Sequence, residues 1–328
     1  MKTVRWGIAG PGCIANKFAQ AIKNVEGAEL VAVASRSEKN SREFADKYGI
    51  PNVLCGYEKL AKCNLVDAVY IATPHPFHKN CAELFLNAKK HVLCEKPICI
   101  NASQAEMLKE CAEKNGVFLM EAMWTRFLPC IKEACDIVKR GEIGEIKGLE
   151  ADFCYSSTFD EEPKLFQNEM AGGALLDVGV YGLHFASLFL GNNPESINCI
   201  SNVEDNVDTH THIVMKYKNG AIASVTAAIN VRKPESAYIY GSKGYIYIPA
   251  FYGANEMYLN KDGKEEHIVR KSIGDGFEEE IYEACECIRN KKTQSDVLPL
   301  SESIQILHLT DMVRKQNGVR YPFEGENF

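Results

Sequence analysis

The sequence predicts an α/β protein in which a doubly wound parallel sheet is followed by an α+β domain with a large, mainly antiparallel open sheet. Apolar strands and amphipathic helices alternate from residue 3 to residue 121. A glycine-rich turn separates the first strand from the first helix. After residue 124 the strands come in pairs around turns such as Lys218-Asn219-Gly220. We therefore place the two domains at residues 1–123 and 124–328.

The first domain is predicted from the alternation of strand and helix patterns. Continuous apolar runs, as expected of a parallel sheet covered on both faces, predict strands at 3–9, 29–34, 66–72, 91–94 and 117–121. Helical periodicity and helix-ending glycines predict helices at 15–25, 41–48, 78–88 and 103–115.

The second domain begins with a predicted helix at 130–139. Its hairpins are predicted to pair 207–217 with 221–231, 237–240 with 245–248, and 257–259 with 267–269. Further helices are predicted at 175–190, 277–290 and 301–316.

Composition limits the function classes. The chain has 328 residues, with 37 Lys and Arg against 44 Asp and Glu and a formal net charge of -7. This balance argues against partners such as nucleic acid or an anionic membrane, which require a basic face. We find no run of about 18 apolar residues that would span a membrane and no signal peptide. The 13 cysteines are scattered and odd in number, which predicts free thiols in the cytoplasm.

The turn Gly10-Pro11-Gly12-Cys13-Ile14-Ala15 fits the pattern G-x-G-x-x-A of Rossmann folds. Small residues there allow a tight turn and the close approach of a pyrophosphate, which the helix N-terminus then binds. The alternative is a tight turn without a ligand. Because a strand precedes the turn and a helix follows, we predict a dinucleotide site that includes Gly10, Gly12, Cys13 and Ile14.

The end of the second strand distinguishes between the two nicotinamide dinucleotides. NAD enzymes usually place a carboxylate there for the ribose 2′-hydroxyl, but this chain has Ser35-Arg36-Ser37. An arginine can bind a 2′-phosphate and serines can donate to its oxygens. We therefore predict NADP rather than NAD, with Ser35 and Arg36 at the phosphate. The alternative is a solvated Arg36.

The sequence Cys94-Glu95-Lys96-Pro97 ends an apolar strand. Open α/β sheets place their chemistry at the carboxyl ends of strands. An ammonium group there can lower the pKa of a neighbouring acid or polarise a hydroxyl.

The predicted helix at 175–190 places Asp177, Tyr181 and His184 at i, i+4 and i+7, on one face. Its other residues are apolar, so these polar groups would be buried and would need partners. The functional interpretation is proton transfer by Tyr181, oriented by Asp177, and the alternative is a packing helix. Gly179 and Gly182 each cost about 1 kcal/mol in helix propensity, which indicates that something approaches closely.

The chain contains two pairs of closely spaced histidines, a residue type that often binds metal ions. His75 and His78 follow Thr73-Pro74 at a strand end, where lining a cofactor cleft is the favoured interpretation. His210 and His212 lie on a hairpin strand without an acidic or thiol partner nearby in sequence. We expect no metal site.

Together these motifs resemble the glucose-fructose oxidoreductase/inositol dehydrogenase (Gfo/Idh/MocA) family over nearly the whole chain. The resemblance rests on the glycine turn and on three further segments: Ile71-Ala72-Thr73-Pro74, His91 to Pro97, and Asp177 to Tyr181. The segment from Glu121 to Pro129, which contains Trp124-Thr125-Arg126-Phe127, is similar to the branch of dimeric trans-dihydrodiol dehydrogenases and NADP-dependent D-xylose dehydrogenases.

The resemblance implies a catalytic role for Lys96, a Pro97 that is often cis, and Tyr181 as general acid/base with Asp177 as its partner. It implies that the nicotinamide side is lined by Thr73, Pro74, Glu95, Trp124 and Arg126, and that Ala72 and Lys96 also belong to the cofactor site. It also implies a homodimer or homotetramer formed through the second-domain sheet.

We therefore expect an NADP-dependent dehydrogenase or reductase that acts on a sugar, polyol or dihydrodiol. The substrate site is predicted at Trp124, Phe153, Asp177, Tyr181 and His184, with specificity in the loop 155–164. Two alternatives remain: a non-catalytic NADP-binding regulator, which would have little need of both Lys96 and Tyr181, and an enzyme that retains its cofactor and couples two sugars.

Overall fold

Apolar strands of the first half pair in parallel, since their continuous hydrophobic runs must be covered on both faces. The computed structural model describes residues 2–324. Its strands are Val4–Ala9 (β1), Ala28–Ser35 (β2), Asn52–Cys55 (β3), Ala68–Ile71 (β4), His91–Glu95 (β5), Leu119–Ala122 (β6), Ile146–Cys154 (β7), Ser196–Glu204 (β8), Val207–Lys216 (β9), Ile222–Ala228 (β10), Ala237–Gly241 (β11), Gly244–Ile248 (β12), Glu256–Lys261 (β13) and Lys264–Val269 (β14).

Eight of the nine described helices overlap a helix predicted from the periodicity. They are Cys13–Ala21 (α1), Glu38–Tyr48 (α2), Tyr57–Ala61 (α3), His78–Asn87 (α4), Ala102–Asn115 (α5), Pro129–Lys139 (α6), Val180–Leu190 (α7), Phe277–Arg289 (α8) and Leu300–Asn317 (α9). A π-helical turn, Leu175–Gly179, precedes α7 directly.

The chain divides into two units. Among the described residues, the first comprises 2–99, 103–124 and 273–304, and the second comprises 100–102, 125–272 and 305–324. The first unit contains a parallel sheet of order β3-β2-β1-β4-β5-β6. The strand order reverses between β1 and β4, and ligands of such sheets bind at the carboxyl ends beside this reversal.

The second unit contains an eight-stranded sheet of order β14-β13-β12-β11-β7-β10-β9-β8. Its only parallel pair among the described strands is β7 with β10, so the predicted mainly antiparallel sheet is confirmed. The sequence pattern missed β3, α3, β7 and β8. The short β3 and α3 span too few residues to show a period, and β7 has no hairpin turn beside it because it pairs with strands distant in sequence.

The first unit differs from the predicted boundary because residues 273–304 return to it. Helix α8 buries Phe277, Ile281 and Cys285, and the indole Nε1 of Trp6 donates to the Cys285 sulfur at 3.4 Å. The Arg289 guanidinium donates to the Gly27 carbonyl at 2.7 Å. This helix therefore completes the covering of a sheet whose strands lie far away in sequence.

One stretch corrects the expectation that no segment could cross a membrane. Asn168–Leu190 is long and apolar enough by composition, but 78% of its most apolar window is buried inside the protein. The core helix of a folded domain meets the same criteria, so the stretch is weak evidence for a membrane.

Candidate active site

The glycine turn lies at the carboxyl end of β1. Gly10 has a φ of +93°, and a Cβ there would lie 3.0 Å from the Ala72 carbonyl oxygen and 3.1 Å from the Thr73 nitrogen. Gly12 is the N-cap of α1, and Gly12 and Cys13 are exposed beside the half-buried Ile14. This leaves a helix N-terminus open to an anion.

Thr73 adds a second observation at this edge of the sheet. Its hydroxyl is buried and has no hydrogen-bond partner among residues 2–324, and buried polar atoms are normally paired. The open helix N-terminus, the glycine cradle and this hydroxyl fit a dinucleotide.

Ser35 and Arg36 are separated by the structure into different environments. Ser35 Oγ donates to the Ser37 carbonyl at 2.5 Å and shares a hydrogen bond with Ser41 Oγ at 2.9 Å, so it stabilises the turn before α2. The exposed Arg36 guanidinium lies 5.6 Å from the Phe77 ring centre. It borders a cavity of about 200 Å³ that is also lined by Tyr57, Thr73 and Pro74. Arg36 is thus the accessible group of the two.

His78 connects two loops at the carboxyl edge of the first sheet. Its Nε2 lies 2.6 Å from the Thr73 carbonyl and its Nδ1 lies 2.8 Å from the Pro97 carbonyl. Burial lowers the pKa of His78 more than these carbonyls raise it. The ring is fully buried. It therefore holds the loops at Thr73 and Pro97 in place through hydrogen bonds rather than offering an exposed surface to a cofactor. His75 is half-buried, with its ring centre 5.8 Å from that of His78.

The half-buried Lys96 follows β5 and is joined to Pro97 by a cis peptide bond. Glu95 accepts the Lys96 backbone N–H at 3.2 Å and a hydrogen bond from the Tyr70 hydroxyl. The Ile98 N–H donates to Glu121 Oε1 at 3.0 Å. Two buried carboxyl groups therefore hold the backbone on either side of Pro97.

A third carboxyl group, that of Glu280 on α8, faces these two. It is fully buried, and neither oxygen has a hydrogen-bond partner among the described residues. Burial, and then the charges of Glu95 and Glu121, raise its pKa well above the ordinary value. Burial also raises the pKa of Glu95 to about 7, against the Tyr70 hydrogen bond and the Lys96 charge. Adjacent buried carboxyl groups disfavour one another's ionisation, and with no donor among the described residues Glu280 is the group in which the protonated form is favoured.

Glu280, Glu121 and Tyr70 are not predicted as site residues by the sequence pattern. The signal that could have indicated Glu280 is its place on the apolar face of α8, beside Phe277, Ile281 and Ala284. Its interpretation required knowing which sheet that helix face covers.

Asp177 and Tyr181 lie in the second unit, on the π-helical turn and on α7. Asp177 Oδ2 accepts a hydrogen bond from the Tyr155 hydroxyl at 2.7 Å. Burial, followed by the Asp177 charge, raises the pKa of Tyr155, so this phenol stays protonated and donates. The sequence analysis had named Tyr155 only as the start of a specificity loop.

Tyr181 is 8% exposed and belongs to a group that we call the aromatic wall, formed by Phe153, Tyr181 and Tyr252. Phe153 stacks on Tyr252 with ring centres 4.3 Å apart, and Tyr181 meets Phe153 edge-on at 5.2 Å. Tyr252 was missed because it follows β12 in a short turn without any period. The stacked Phe153 and Tyr252 rings contribute apolar faces to this wall.

His184 is buried on α7. Its carbonyl accepts from Arg126 Nη1 at 3.3 Å and from the Ser187 hydroxyl at 2.9 Å. Arg126 also donates to Ser187 Oγ at 3.0 Å, so this buried guanidinium fastens α7. Trp124 belongs to the first unit, where it stacks on Phe277 with ring centres 4.8 Å apart. The predicted cofactor and substrate roles of these residues stay predictions.

The two glycines of the helical segment have a packing explanation. A Cβ on Gly182 would overlap Val225 Cγ1, and one on Gly179 would lie 3.2 Å from the Ala227 Cβ. The group that approaches closely is therefore strand β10. Lys96 lies in the first unit and Tyr181 in the second, so their pairing also stays a prediction.

Comparison with known proteins agrees with this organisation. The sequence model of an oxidoreductase family with an NAD-binding Rossmann fold matches residues 4–123. That of the GFO/IDH/MocA C-terminal domain matches residues 131–247. The chain is 35% identical to mouse trans-1,2-dihydrobenzene-1,2-diol dehydrogenase, over 97% of this chain and 98% of the mouse protein. It is 34% identical to the human protein of that name, with the same coverage.

A solved structure of a 3-ketoreductase from Actinomadura kijaniata, in complex with NADP and TDP-benzene, has a TM-score of 0.88 and 26% identity. The match covers 96% of this chain and 98% of the ketoreductase. An aldose-aldose oxidoreductase from Caulobacter crescentus, at 21% identity and a TM-score of 0.87 over 96% of this chain and 97% of its own, shares the fold.

Glu280→Gln tests the buried carboxyl cluster. The pKa of Glu280 is raised in the folded state, so its cost to stability begins near the unfolded value, about 4.5, and grows as the pH rises. We expect Glu280→Gln to melt near the wild-type temperature at pH 4 and above it at pH 8. Each unit of pKa shift is worth about 1.4 kcal/mol, which corresponds to roughly 2 °C for a chain of this size.

Thermal unfolding followed by circular dichroism from pH 4 to pH 8 measures this difference. Glu279→Gln is the control, because it removes a carboxylate from the same helical turn at a half-buried position. A Glu280→Gln profile that runs parallel to the wild type at every pH would contradict a neutral Glu280.

Proposed function

The chain belongs to the GFO/IDH/MocA family of oxidoreductases, and on that basis we propose that it is an NADP-dependent dehydrogenase or reductase of a sugar, polyol or dihydrodiol. It is an NAD(P)-dependent enzyme that acts on CH–OH donors. The main support for the finer proposal is the carboxyl edge of the first sheet. There the Gly10 cradle, the exposed Arg36 and Lys96 all follow strand ends.

The residues of the first unit have separable roles in this proposal. Gly10, Gly12 and the N-terminus of α1 hold the pyrophosphate, and Arg36 binds the 2′-phosphate. Thr73 supplies its unpartnered hydroxyl to the nicotinamide side. When bound, the nicotinamide ring accepts or supplies the hydride.

Proton transfer belongs to Tyr181. In the oxidative direction its phenolate takes the proton of the substrate hydroxyl, and in the reductive direction its phenol returns it. A free tyrosine has a pKa of about 10, so it requires a nearby positive charge to act near neutrality. Lys96 is the proposed source of that charge, and Asp177, held by Tyr155, orients the site.

The aromatic wall supports a substrate with one apolar face. Stacked Phe153 and Tyr252 can cover the C–H face of a sugar ring or the ring of a dihydrodiol. The mouse and human relatives are named for a dihydrodiol, and the Actinomadura relative is a ketoreductase. Absorbance of NADPH in the presence of aldoses, polyols, dihydrodiols and dicarbonyls distinguishes these classes.

We also propose that the protein works in the cytoplasm, without nucleic acid or membrane partners. All 13 cysteines are free thiols, which suits a reducing compartment.

Lys96→Met and Tyr181→Phe test the proposed chemistry. Because general acid/base groups contribute roughly 100-fold or more, we expect kcat to fall by at least about that factor in each variant. NADPH affinity, measured by fluorescence titration, should stay unchanged for Tyr181→Phe. The controls are Lys62→Met and Tyr282→Phe, which alter an exposed lysine and an exposed tyrosine of the first unit. Near-normal turnover in either test variant would refute its assignment.

Arg36→Ala tests the cofactor preference. Loss of a charged group from the 2′-phosphate removes a charge-assisted interaction of about 1.5–3 kcal/mol, so KM for NADP should rise by roughly tenfold or more. KM for NAD should not rise, because NAD has no 2′-phosphate. Steady-state kinetics with both cofactors measure this, with Arg140→Ala as an exposed-arginine control. A wild-type preference for NAD would overturn the proposal.

We propose that the protein self-associates through the outer face of the second sheet. Ile239, Ile246 and Leu259 of that sheet are buried on its inner face. The opposite face presents what we call the tyrosine face: Tyr238, Tyr240, Tyr245, Tyr247, Tyr258 and His267. Tyr238 stacks on Tyr247 at 4.6 Å, and Tyr258 on His267 at 4.6 Å. Half-exposed aromatic residues are typical of interfaces.

Tyr247→Lys tests that surface. A buried lysine at an interface lacks a partner and costs several kcal/mol, so we expect the native mass to fall from a multiple of 36.6 kDa to 36.6 kDa. Light scattering after gel filtration measures it. Tyr282→Lys, at an exposed tyrosine of α8, should leave the mass unchanged. A monomeric wild type would contradict the proposal.

A further inference from the structure

Asp208 lies on β9 and is fully buried. Its Oδ2 accepts the Leu175 N–H at 2.8 Å and the Thr211 hydroxyl at 2.8 Å. Leu175 is the first residue of the π-helical turn. One carboxylate thus caps the turn on which Asp177 lies, from a strand more than 30 residues later in the chain.

Gly173, just before this turn, leaves room for the Asp208 carboxyl group. Gly173 has a φ of +117°, and a Cβ there would overlap Asp208 Oδ1. The Gly173 N–H donates to the Leu165 carbonyl at 2.9 Å, and the Gly173 carbonyl accepts the Asp177 N–H at 3.2 Å. A glycine is therefore needed where Asp208 approaches, and its backbone connects directly to Asp177.

The π-helical turn contains one more residue in its hydrogen-bonded ring than an α-helix does, and such turns are frequent at functional sites. Ala174, its N-cap, offers no side-chain cap. The turn packs through Val178 against Ala227 and Ile229. Apolar packing of this kind leaves the first N–H of the turn without a partner, and the Asp208 carboxylate supplies one.

We propose that Asp208 is a positioning residue whose carboxylate holds the π-helical turn and thereby places Asp177 and Tyr181 for catalysis. The inference rests on the proposed function of those two residues. Asp208 itself touches neither of the reacting groups, so its effect passes through the Leu175 N–H and the Gly173 backbone.

Protonation of Asp208 would weaken both hydrogen bonds, because a charged acceptor binds N–H and O–H donors more strongly than a neutral one. Burial raises the pKa of Asp208 to about 7, against the Thr211 and Leu175 hydrogen bonds and the Arg314 charge. Besides Arg314 on α9, the titratable groups that face it are Tyr321 and Cys199 of β8. The turn should thus be held more firmly above pH 7 than below it.

Hydrogen exchange provides a test that needs no substrate. In Asp208→Asn the neutral amide oxygen accepts the Leu175 N–H and the Thr211 hydroxyl more weakly than the carboxylate does, so we expect exchange in peptides covering 174–185 to quicken roughly tenfold. After correction for the intrinsic rate, wild-type exchange there should slow between pH 6 and pH 8, and that change should be absent from the variant. Asp205→Asn, at an exposed position in the β8–β9 hairpin, is the matched control.

Turnover provides the second readout. We expect kcat of Asp208→Asn to fall by roughly tenfold at pH 8 and to lose its dependence on a group of pKa near 7, while the Kd for NADPH stays the same. Thr211→Val removes one donor and leaves the carboxylate, so it should change kcat in the same direction by less. If Asp208→Asn fails to fold, Thr211→Val tests the positioning role in its place.

Wild-type kcat and exchange in both variants would overturn the positioning role and leave the proposed function intact. Quickened exchange in Asp208→Asn, together with a wild type that turns over no sugar, polyol or dihydrodiol, would support the positioning of the turn and refute the proposed function.

Discussion

The Lys96 segment depends on the burial of polar groups that must find partners. The Ile98 N–H, the Pro97 carbonyl and the Thr73 carbonyl all lie near the carboxyl edge of the first sheet, and each is paired with a buried side chain. An unpaired buried group would cost about 1–3 kcal/mol. The position of Lys96 therefore follows from a small hydrogen-bond network rather than from the strand alone. Gly10 belongs to the same assembly, because it packs against the Ala72–Thr73 backbone that His78 holds.

In the second unit, too, buried polar groups are paired with side chains from other elements. An apolar helical segment must bring Asp177 and Tyr181 to one place while packing closely on β10. Gly179 and Gly182 allow the close packing, Tyr155 satisfies Asp177, and Asp208 satisfies the first N–H of the turn. The glycines thus allow the segment to lie close to β10. The hydrogen bonds of Asp177 and Asp208 hold its first turn in place.

Buried carboxyl groups occur in both units, and burial raises the pKa of Glu95, Asp208 and Glu280 above the ordinary value. Water stabilises a carboxylate, and the removal of water raises its pKa unless a cation or several donors replace it. Glu95 and Asp208 each retain donors, and their pKa values rise to about 7. Glu280 has no hydrogen-bond donor among the described residues, and its pKa rises further. The two groups that retain donors and a nearby cation thus differ from the one that has no donor among the described residues.

The sequence by itself determined the two-part architecture, the glycine turn, the position of Lys96 at a strand end, and the location of Asp177 and Tyr181 in one helical segment, because period and turn residues are local properties. It predicted the glycines of the 175–190 segment as sites of close approach without showing that β10 approaches them. Only the tertiary structure decided that Glu280 faces Glu95 and Glu121 in the first unit, and that residues 273–304 return to that unit. In the second unit, it alone decided that Tyr155 and Asp208 bind the segment carrying Asp177 and that Tyr252 contacts Tyr181. Those contacts join parts of the chain that lie far apart in sequence, so the partner of each buried polar group became known only once the sheets had formed.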